Sequence, residues 1–395
     1  MMIRIALTGV LLHCSVAVAA EPRVVGYFIE WGVYDRNYHV ADVPAGKLTH
    51  LNYAFAKTVD GEIAVFDAFA ALEKAYPNSK QSGSFYQLQL LKKKHPHLKT
   101  LISVGGWTLS GPFSDVALTD ESRQKFAASC VRFIRKHGFD GVDIDWEYPV
   151  SGGMKGNKNR KEDRANYTLL LAEIRRQLDA AGKADTTQYL LTIAAPAGPR
   201  TIENLDLEAI ATHVDWFNLM AYDFHGSWNE TTHFNAPLYP IRDDPATDAI
   251  SRKLNVASAV KTYRDANVPA EKIVLGTPFF GRGWSGVKDI NNGLLQPRTG
   301  IPKGTWEAGV FDYKDLEANY IGKYTRHWSD DAKVPWLFDA KTGIMIGYDD
   351  PESIRLKAAF AKDNKLGGVM FWELSADDRK SSLLKALRQG LGLSE

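Results

Sequence analysis

The stretch Asp140–Pro149, which reads Asp-Gly-Val-Asp-Ile-Asp-Trp-Glu-Tyr-Pro, constrains the fold of this chain most strongly. Side chains alternate between the two faces of a β-strand, so Asp143, Asp145 and Glu147 are predicted to share one face. The residues between them are apolar, namely Val142, Ile144 and Trp146. An apolar face of this kind packs against a core. Pro149 cannot donate to a sheet ladder, so Glu147 is expected at the carboxyl end of the strand.

Three carboxylates on one strand face repel one another, so at least one is predicted to hold a proton near neutral pH. A carboxyl that stays protonated at that pH can serve as a general acid. A solvated edge strand is an alternative that the apolar opposite face disfavours. A cation site is another, although such sites usually draw ligands from loops instead of one rigid strand. Paired carboxylates for glycosidic or acyl chemistry are the favoured interpretation.

The first 20 residues are typical of a secretory signal peptide. Arg4 gives a positive start, residues 5–18 are apolar but too short to span a bilayer, and Ala17–Ala20 supplies small residues for cleavage. Cys14 would suit a lipoprotein anchor, but the histidine before it fits that interpretation poorly. We therefore expect a secreted or periplasmic protein with no membrane attachment once the signal is removed.

Charge and composition favour a neutral ligand. The chain has 48 Lys and Arg against 47 Asp and Glu, and removing residues 1–20 leaves 47 of each. This balance does not favour nucleic acid or an anionic surface as a partner. The 10 Trp, 16 Tyr and 18 Phe suit stacking on sugar rings, although most of them are needed to fill the core. After cleavage Cys130 is left without a disulfide partner, and helical spacing predicts that it is buried.

Strands alternate with helices along the rest of the chain. The predicted strands are residues 24–29, 50–55, 99–105, 140–147, 189–195, 214–222, 273–280 and 366–372. The predicted helices lie around Leu88, at 121–137, at 166–181 with Leu169, Leu170, Ile174 and Leu178 on one face, at 248–266, after Asp350, and at 381–390. Residues 57–84 are predicted to form a loop. Eight such alternations predict an α/β fold, a (β/α)₈ TIM barrel with a parallel sheet.

One segment interrupts the alternation. Residues 284–346 separate the seventh strand from its helix, which is too long for an ordinary loop. Their aromatic and turn residues predict an α+β insertion domain and disfavour disorder. The expected organisation is a signal peptide at 1–20, a catalytic barrel at 21–283 and 347–395, and the insertion domain between the two barrel segments.

The carboxyl ends of barrel strands usually carry the chemistry. The predicted ends here are Tyr27, Phe55, Trp107, Glu147, Tyr222 and Trp372. All but one of these side chains are aromatic. A cleft lined by aromatic rings around a single acid is suited to a neutral sugar chain.

The pattern Asp140-x-x-Asp143-x-Asp145-x-Glu147, followed by Tyr-Pro, resembles the signature of glycoside hydrolase family 18, the chitinases. Other segments that resemble family counterparts cover nearly the whole chain after the signal: 103–107, 220–223, 276–282, 348–353 and 367–372. The insertion is similar to that of bacterial subfamily A chitinases, where it builds one wall of a deep cleft. Barrels of this type also occur as non-catalytic lectins, which typically lack the acid that stands here as Glu147.

The resemblance implies a substrate-assisted mechanism. Glu147 would protonate the glycosidic oxygen, and the substrate's own N-acetyl carbonyl would attack C1 to give an oxazolinium ion with net retention. Asp145 would orient the acetamido group and exchange a proton with Asp143. Tyr222 would hydrogen-bond the carbonyl oxygen, and Asp223 would help to distort the sugar ring. No metal or cofactor is implied.

The resemblance also implies a set of substrate-binding residues. Trp372 would be the floor under the reacting sugar, and the rest of the set is Tyr27, Phe55, Gly106, Trp107, Tyr148, Met220, Trp228 and Arg282. The expected partners are chitin and N-acetylglucosamine oligomers, with a monomer as the default state. Two alternatives remain: an endo-β-N-acetylglucosaminidase, which the aromatic insertion disfavours, and a chitin-binding lectin without turnover.

Overall fold

The computed structural model describes residues 21–77, 79–246 and 248–394; the predicted signal peptide lies outside them. The strands are β1 (Arg23–Ile29), β2 (His50–Val59), β3 (Glu62–Val65), β4 (Lys99–Gly105), β5 (Gly141–Asp145), β6 (Leu190–Pro196), β7 (Trp216–Met220), β8 (Ile273–Pro278), β9 (Phe280–Trp284), β10 (Val310–Asp312), β11 (Thr325–Ser329), β12 (Val334–Asp339), β13 (Ile344–Gly347) and β14 (Gly368–Trp372). The α-helices are α1 (Ser84–Lys94), α2 (Phe113–Val116), α3 (Asp120–His137), α4 (Asp163–Asp185), α5 (Pro199–Ile202), α6 (Leu207–Ala211), α7 (Val256–Asp265), α8 (Tyr313–Asn319), α9 (Pro351–Asp363) and α10 (Ser382–Leu391). None of the helices in these ranges has the length and apolar character needed to cross a bilayer.

Eight parallel strands close into a barrel in the order β1, β2, β4, β5, β6, β7, β8, β14, and β14 pairs with β1 to complete the ring. At the closure Val24 lies opposite Val369, while Gly26 lies opposite Leu51 on the other side of β1. The predicted TIM barrel is confirmed, and each predicted strand corresponds to one of these eight. Closure brings the carboxyl ends of all eight strands to one face of the molecule.

The layer outside β5 shows why these sequences form these elements. α3 is capped at its start by Thr119, whose hydroxyl accepts a hydrogen bond from the Ser122 amide at 3.1 Å, and is followed by Gly138 in the left-handed region with φ 76°. Cys130 on this helix is fully buried, as predicted, and burial raises the pKa of its thiol. Val142 on β5 is likewise fully buried in the main core. The apolar face of the acidic strand is therefore packed under a helix layer.

The prediction of a loop over residues 57–84 was wrong. β2 continues to Val59 and turns back at once into β3, which pairs with it antiparallel. The two connecting residues, Asp60 and Gly61, have φ of 50° and 75°. An Asp-Gly pair with positive φ at both positions is typical of a type I′ hairpin turn, so the sequence did carry the signal. A single π-helical turn at Phe69–Glu73 follows.

The helix predicted at 248–266 starts later than expected. α7 begins at Val256 because the side chain of Asn255 caps it, accepting a hydrogen bond from the Ser258 amide at 2.9 Å. A single 3₁₀ turn at Ser251–Lys253 precedes it.

One residue of α4 faces the wrong way for the predicted apolar stripe. Leu170, Ile174 and Leu178 are fully buried, whereas Leu169 is 49% exposed. Residues four apart stay on one face of an α-helix, and Leu169 lies about 100° away from Leu170 around the axis. The buried stripe is therefore centred away from Leu169.

A second sheet lies between the seventh barrel strand and its helix α9. Its strand order is β10, β9, β13, β12, β11, and all its pairings are antiparallel. β9 starts at Phe280, with one residue separating it from Pro278 at the end of β8. The predicted α+β insertion is thus confirmed as part of the fold, while its exact boundaries at 284 and 346 stay a prediction.

Candidate active site

Asp143 lies in the centre of the barrel and is fully buried. One carboxylate oxygen accepts from Tyr27 Oη at 2.8 Å and Ser103 Oγ at 2.7 Å. The other accepts from Thr192 Oγ1 at 2.6 Å and Asn218 Nδ2 at 3.1 Å. Burial raises the pKa of Asp143, and these four hydrogen bonds oppose that rise. Four donors occupy the positions around Asp143 that a cation would need, which disfavours this carboxylate as a cation ligand.

Asp145 is the next acid on the same face, and it is 4% exposed. Its Oδ1 is buried and has no hydrogen-bond partner among the described residues. Burial raises the pKa of Asp145 well above its usual range, and the negative charges of Glu147 and Asp143 raise it further. The prediction that this face holds a proton near neutral pH has a clear physical basis here.

The backbone of Glu147 is fixed from three sides. β5 ends at Asp145, so Glu147 lies two residues beyond the strand instead of on it. Its N–H donates to Ser110 Oγ at 2.8 Å, and its carbonyl oxygen accepts from Asn157 Nδ2 at 3.2 Å. Gly153 has φ of 74°, and a Cβ there would come within 2.0 Å of the Glu147 carbonyl oxygen. Only glycine allows this close approach.

The side chain of Glu147 has a pKa suited to proton donation. Burial raises the pKa of Glu147 to about 7; a hydrogen bond from Tyr148 lowers it and the charge of Asp223 raises it. Burial, followed by the charges of Glu147 and Asp145, raises the pKa of the Tyr148 hydroxyl well above its usual range. Glu147 therefore changes protonation state near neutral pH.

Asp140, the first acid of the pattern, lies at the amino end of β5, away from the other three. Its carboxylate accepts from the Thr100 amide at 2.7 Å and lies 2.6 Å from Lys92 Nζ. This acid joins β5 to β4 and α1 and is not part of the central cluster.

Tyr222 and Asp223 follow β7, which is two strands away from β5 in the ring. Asp223 has φ of 56°, and its carboxylate binds Arg282 through Nε at 2.8 Å and Nη2 at 2.7 Å. Arg282 belongs to β9 of the second sheet, so this bidentate pair joins the barrel rim to that sheet. Burial, followed by the charge of Asp145, raises the pKa of the Tyr222 hydroxyl well above its usual range.

Aromatic rings converge on Trp372 at the end of β14. Its ring centroid lies 5.4 Å from Tyr27 and 5.8 Å from Phe55, with the latter pair stacked. Trp31, which sequence reasoning missed, lies 6.3 Å from Trp372 and is 39% exposed. Its position two residues after β1 was a signal that could have identified it.

Gly106 makes room for this aromatic cluster. Its φ is 83°, and a Cβ there would come within 2.7 Å of the Phe55 ring. Its N–H donates to the Asp145 carbonyl oxygen at 2.8 Å, which ties the end of β4 to the acidic strand. The neighbouring Trp107 has half of its surface exposed.

The remaining predicted binding residues lie around the same rim. Trp228 is 54% exposed, and the Arg282 guanidinium lies 5.1 Å from its ring centroid. Met220 is half-buried and packs in the same apolar cluster as Tyr222 and Trp372. The structure therefore brings the predicted site residues to one end of the barrel.

Several residues that hold this site were not predicted: Trp31, Ser103, Ser110, Asn157, Thr192, Asn218 and Asn235. Thr192 and Asn218 are polar residues inside otherwise apolar strands, and that contrast was an available signal. Ser110, Asn157 and Asn235 lie in connecting segments, where nothing local distinguishes them from ordinary loop residues.

A parallel barrel with protonatable carboxyl groups at its centre and aromatic rings at its rim defines a glycoside hydrolase. Comparison with protein families identifies which family of glycoside hydrolases the chain matches. The model for glycosyl hydrolases family 18 matches residues 23–377. The chain belongs to that family, as its motifs suggested.

Individual relatives agree with this assignment. Chitinase A1 of Niallia circulans is 46% identical over 94% of this chain, which spans 59% of that protein's length. Chitinase ChiA74 from Bacillus thuringiensis superposes with a TM-score of 0.89 at 41% identity, covering 94% of this chain and 70% of that one. A family 18 N-acetylglucosaminidase from Paenibacillus barengoltzii gives a TM-score of 0.79 at 35% identity, covering 93% and 99%.

Proposed function

We propose that this protein is a chitinase that cleaves β-1,4 linkages between N-acetylglucosamine units with retention of configuration. The observation that carries the proposal is Glu147, whose pKa burial raises to about 7 beside two further carboxyls of raised pKa, Asp143 and Asp145. The names of the relatives from Niallia and Bacillus support chitin as the substrate.

Glu147 donates its proton to the glycosidic oxygen as the bond to C1 breaks. A general acid works best when its pKa lies near the working pH, and Glu147 meets that condition. Its backbone is held by Ser110 and Asn157, which fixes where the carboxyl group points. After departure of the first product, the same residue takes a proton from the incoming water.

The nucleophile is the substrate's own acetamido oxygen, which forms an oxazolinium ion with C1. Asp143 is unsuited to attack because four hydrogen bonds hold its oxygens. Asp145 is the residue that meets the acetamido group, since its Oδ1 is free of partners among the described residues. Exchange of one proton between Asp145 and Asp143 lets Asp145 be charged while the oxazolinium carries positive charge.

The other wall of the site positions the sugar. Tyr222 donates a hydrogen bond to the acetamido oxygen, and Asp223, held by Arg282, helps to distort the reacting ring. The stacking and lining residues for this and neighbouring sugars are Tyr27, Phe55, Gly106, Trp107, Tyr148, Met220, Trp228, Arg282 and Trp372. The aromatic faces are attractive to neutral sugar rings without requiring charge.

We further infer export through a signal peptide at 1–20 and action as a monomer. The catalytic unit is residues 21–283 and 347–395, and the insertion domain at 284–346 forms one wall of the cleft. Arg282 precedes the insertion but pairs with Val310 inside it, so the contact between Arg282 and Asp223 supports this role for the insertion.

Hydrolysis of chromogenic N-acetylglucosamine glycosides tests the proposal. The di- and trisaccharide analogues should release chromophore, and the monosaccharide analogue should release little, because binding a second sugar positions the acetamido group. Release from none of the three, together with tight chitin binding, would favour the lectin interpretation instead.

An N-acetylglucosaminidase is a second candidate, favoured by the relative from Paenibacillus barengoltzii. It uses the same central carboxyls, so the site geometry does not separate the two. The monosaccharide analogue does: rapid release from it would favour this second candidate. Digestion of a chitin oligomer should give mainly disaccharide for a chitinase and mainly monosaccharide for the alternative.

A further inference from the structure

Asn235 joins two parts of the site without belonging to either strand that carries them. It lies in the segment between β7 and α7 and is 1% exposed. Its Oδ1 accepts from the Asp223 amide at 2.9 Å, and its Nδ2 donates to the Phe280 carbonyl oxygen at 3.0 Å. Its own carbonyl oxygen accepts from the Phe224 amide at 3.0 Å. One buried side chain thus links the barrel rim to the first residue of the second sheet.

The two backbone groups that the Asn235 side chain binds lie next to the site: one belongs to Asp223, and the other belongs to Phe280, two residues before Arg282. Asp223 has φ of 56°, a region that residues with a Cβ adopt at a cost, so its conformation depends on external bonds. Phe280 presents its ring edge-on to Tyr222 at 5.9 Å, and the Arg282 guanidinium lies 5.2 Å from the same ring. The amide therefore fixes the separation between the Tyr222–Asp223 pair and the Phe280–Arg282 pair.

We propose that Asn235 is a positioning residue for hydrolysis: its carboxamide sets the position of the Asp223–Arg282 pair relative to Glu147, without contact with substrate. The inference rests on the proposed function. It goes beyond that function because it assigns a catalytic consequence to a buried amide outside the acidic motif.

The chemistry of the amide makes the role testable. The side chain must accept a hydrogen bond on one atom and donate one on the other. Asn235→Ala removes both bonds. Asn235→Asp keeps the acceptor for the Asp223 amide but, when ionised, turns an oxygen toward the Phe280 carbonyl oxygen. When protonated, the new carboxyl group donates to that carbonyl again.

Asn255 offers a matched control. It is also 1% exposed, accepts from the Ser258 amide at 2.9 Å and donates to the Arg252 carbonyl oxygen at 3.0 Å. It caps α7, and within the described residues its side-chain hydrogen bonds go to Arg252 and Ser258, neither of which belongs to the proposed site. Asn255→Ala therefore removes the same kind of bonds from a buried amide that has no role in positioning Asp223.

The experiment compares steady-state hydrolysis of the chromogenic diacetylchitobioside by the full chain and the three variants between pH 5 and pH 8. We expect Asn235→Ala to lower kcat/KM about tenfold, mainly through kcat, while Asn255→Ala stays within about twofold. The deficit of Asn235→Asp in kcat/KM relative to wild type should shrink as pH falls, because protonation of the new carboxyl group restores the donor to the Phe280 carbonyl oxygen. Thermal unfolding of each variant measures the stability loss separately.

Two results would overturn the inference: an Asn235→Ala variant with wild-type kcat/KM, or an Asn235→Asp deficit that stays constant across the pH range. If Asn235→Ala does not fold, the pH dependence of Asn235→Asp decides the question. An inactive wild type would instead count against the proposed function. In that case tryptophan fluorescence would measure binding of N,N′,N″-triacetylchitotriose. It would show whether Asn235→Asp weakens sugar binding more at high pH, as positioning requires.

Discussion

The two ends of β5 carry the same kind of side chain in opposite environments. At the amino end, Asp140 is partly exposed, and its charge is met by Lys92 and by the Thr100 amide. At the carboxyl end, Asp145 is buried and Glu147 is half-buried, and both have raised pKa values. In the part of the chain that the structure describes, no ion pair involves either of them. Partners and burial, more than residue type, set the charge state of each acid.

One strand thus carries both a carboxylate in a structural contact and carboxyl groups with raised pKa values. A cation beside a carboxylate stabilises its charged form, which suits a structural link between elements. A carboxyl group without a cation in a dry environment keeps its proton more readily, which suits proton transfer. Substitutions along β5 should therefore have effects that differ by orders of magnitude in activity.

The largest effect should come from Glu147→Gln. The substitution keeps the size of the side chain but removes the transferable proton, so kcat on chitobioside substrates should fall by about 10³-fold or more. Chitin binding should remain largely intact in a sedimentation assay. Substantial residual activity would show that another residue supplies the proton.

Asp145→Ala should come next, with kcat lowered by about 10²-fold and far more than in Asp140→Ala. Asp145 meets the reacting acetamido group in the proposed mechanism, whereas Asp140 lies at the other end of the strand. Parallel kinetics of the two alanine variants make the measurement. Equal losses would contradict the role assigned to Asp145.

The pH dependence of the wild type should show a smaller, graded effect. Because Glu147 acts as an acid with a pKa of about 7, kcat/KM should fall about tenfold per pH unit above that value. The same raised pKa means that the folded state binds this proton more tightly than the unfolded state, so it lowers the free energy of unfolding as pH rises between 4.5 and about 7. An alkaline limb far from pH 7 would argue against Glu147 as the titrating group.

Asp140→Ala should have the smallest effect on activity and a visible effect on stability. It removes the hydrogen bond to the Thr100 amide and the contact with Lys92, which should lower the free energy of unfolding by about 1–2 kcal/mol. Urea unfolding measures this loss, and kcat/KM should stay within about twofold of wild type. A large kinetic defect in the folded variant would show that the two ends of β5 are coupled.

Much of the fold could be predicted because its signals are local. The spacing of apolar residues predicts the barrel strands and the helices between them. Gly138 follows the last residue of α3, where a left-handed conformation is needed. The β2–β3 hairpin was not predicted although Asp60-Gly61 marks its turn, because β2 continues past its predicted end at residue 55 to Val59. Leu169 was misplaced because its neighbour Leu170 fits the same period almost equally well.

The sequence by itself determined which residues lie on the two faces of the acidic strand, because alternation is a property of every extended backbone. It also placed Trp372 at the end of β14, whereas Tyr27 and Phe55 lie inside β1 and β2 instead of at the predicted strand ends. The tertiary structure decided what those residues can do. Four strands deliver the donors that hold Asp143, and loops remote in sequence hold Glu147 and Asp223. Protonation and orientation depend on burial and on distant partners, and only the closed barrel with its second sheet brings those together.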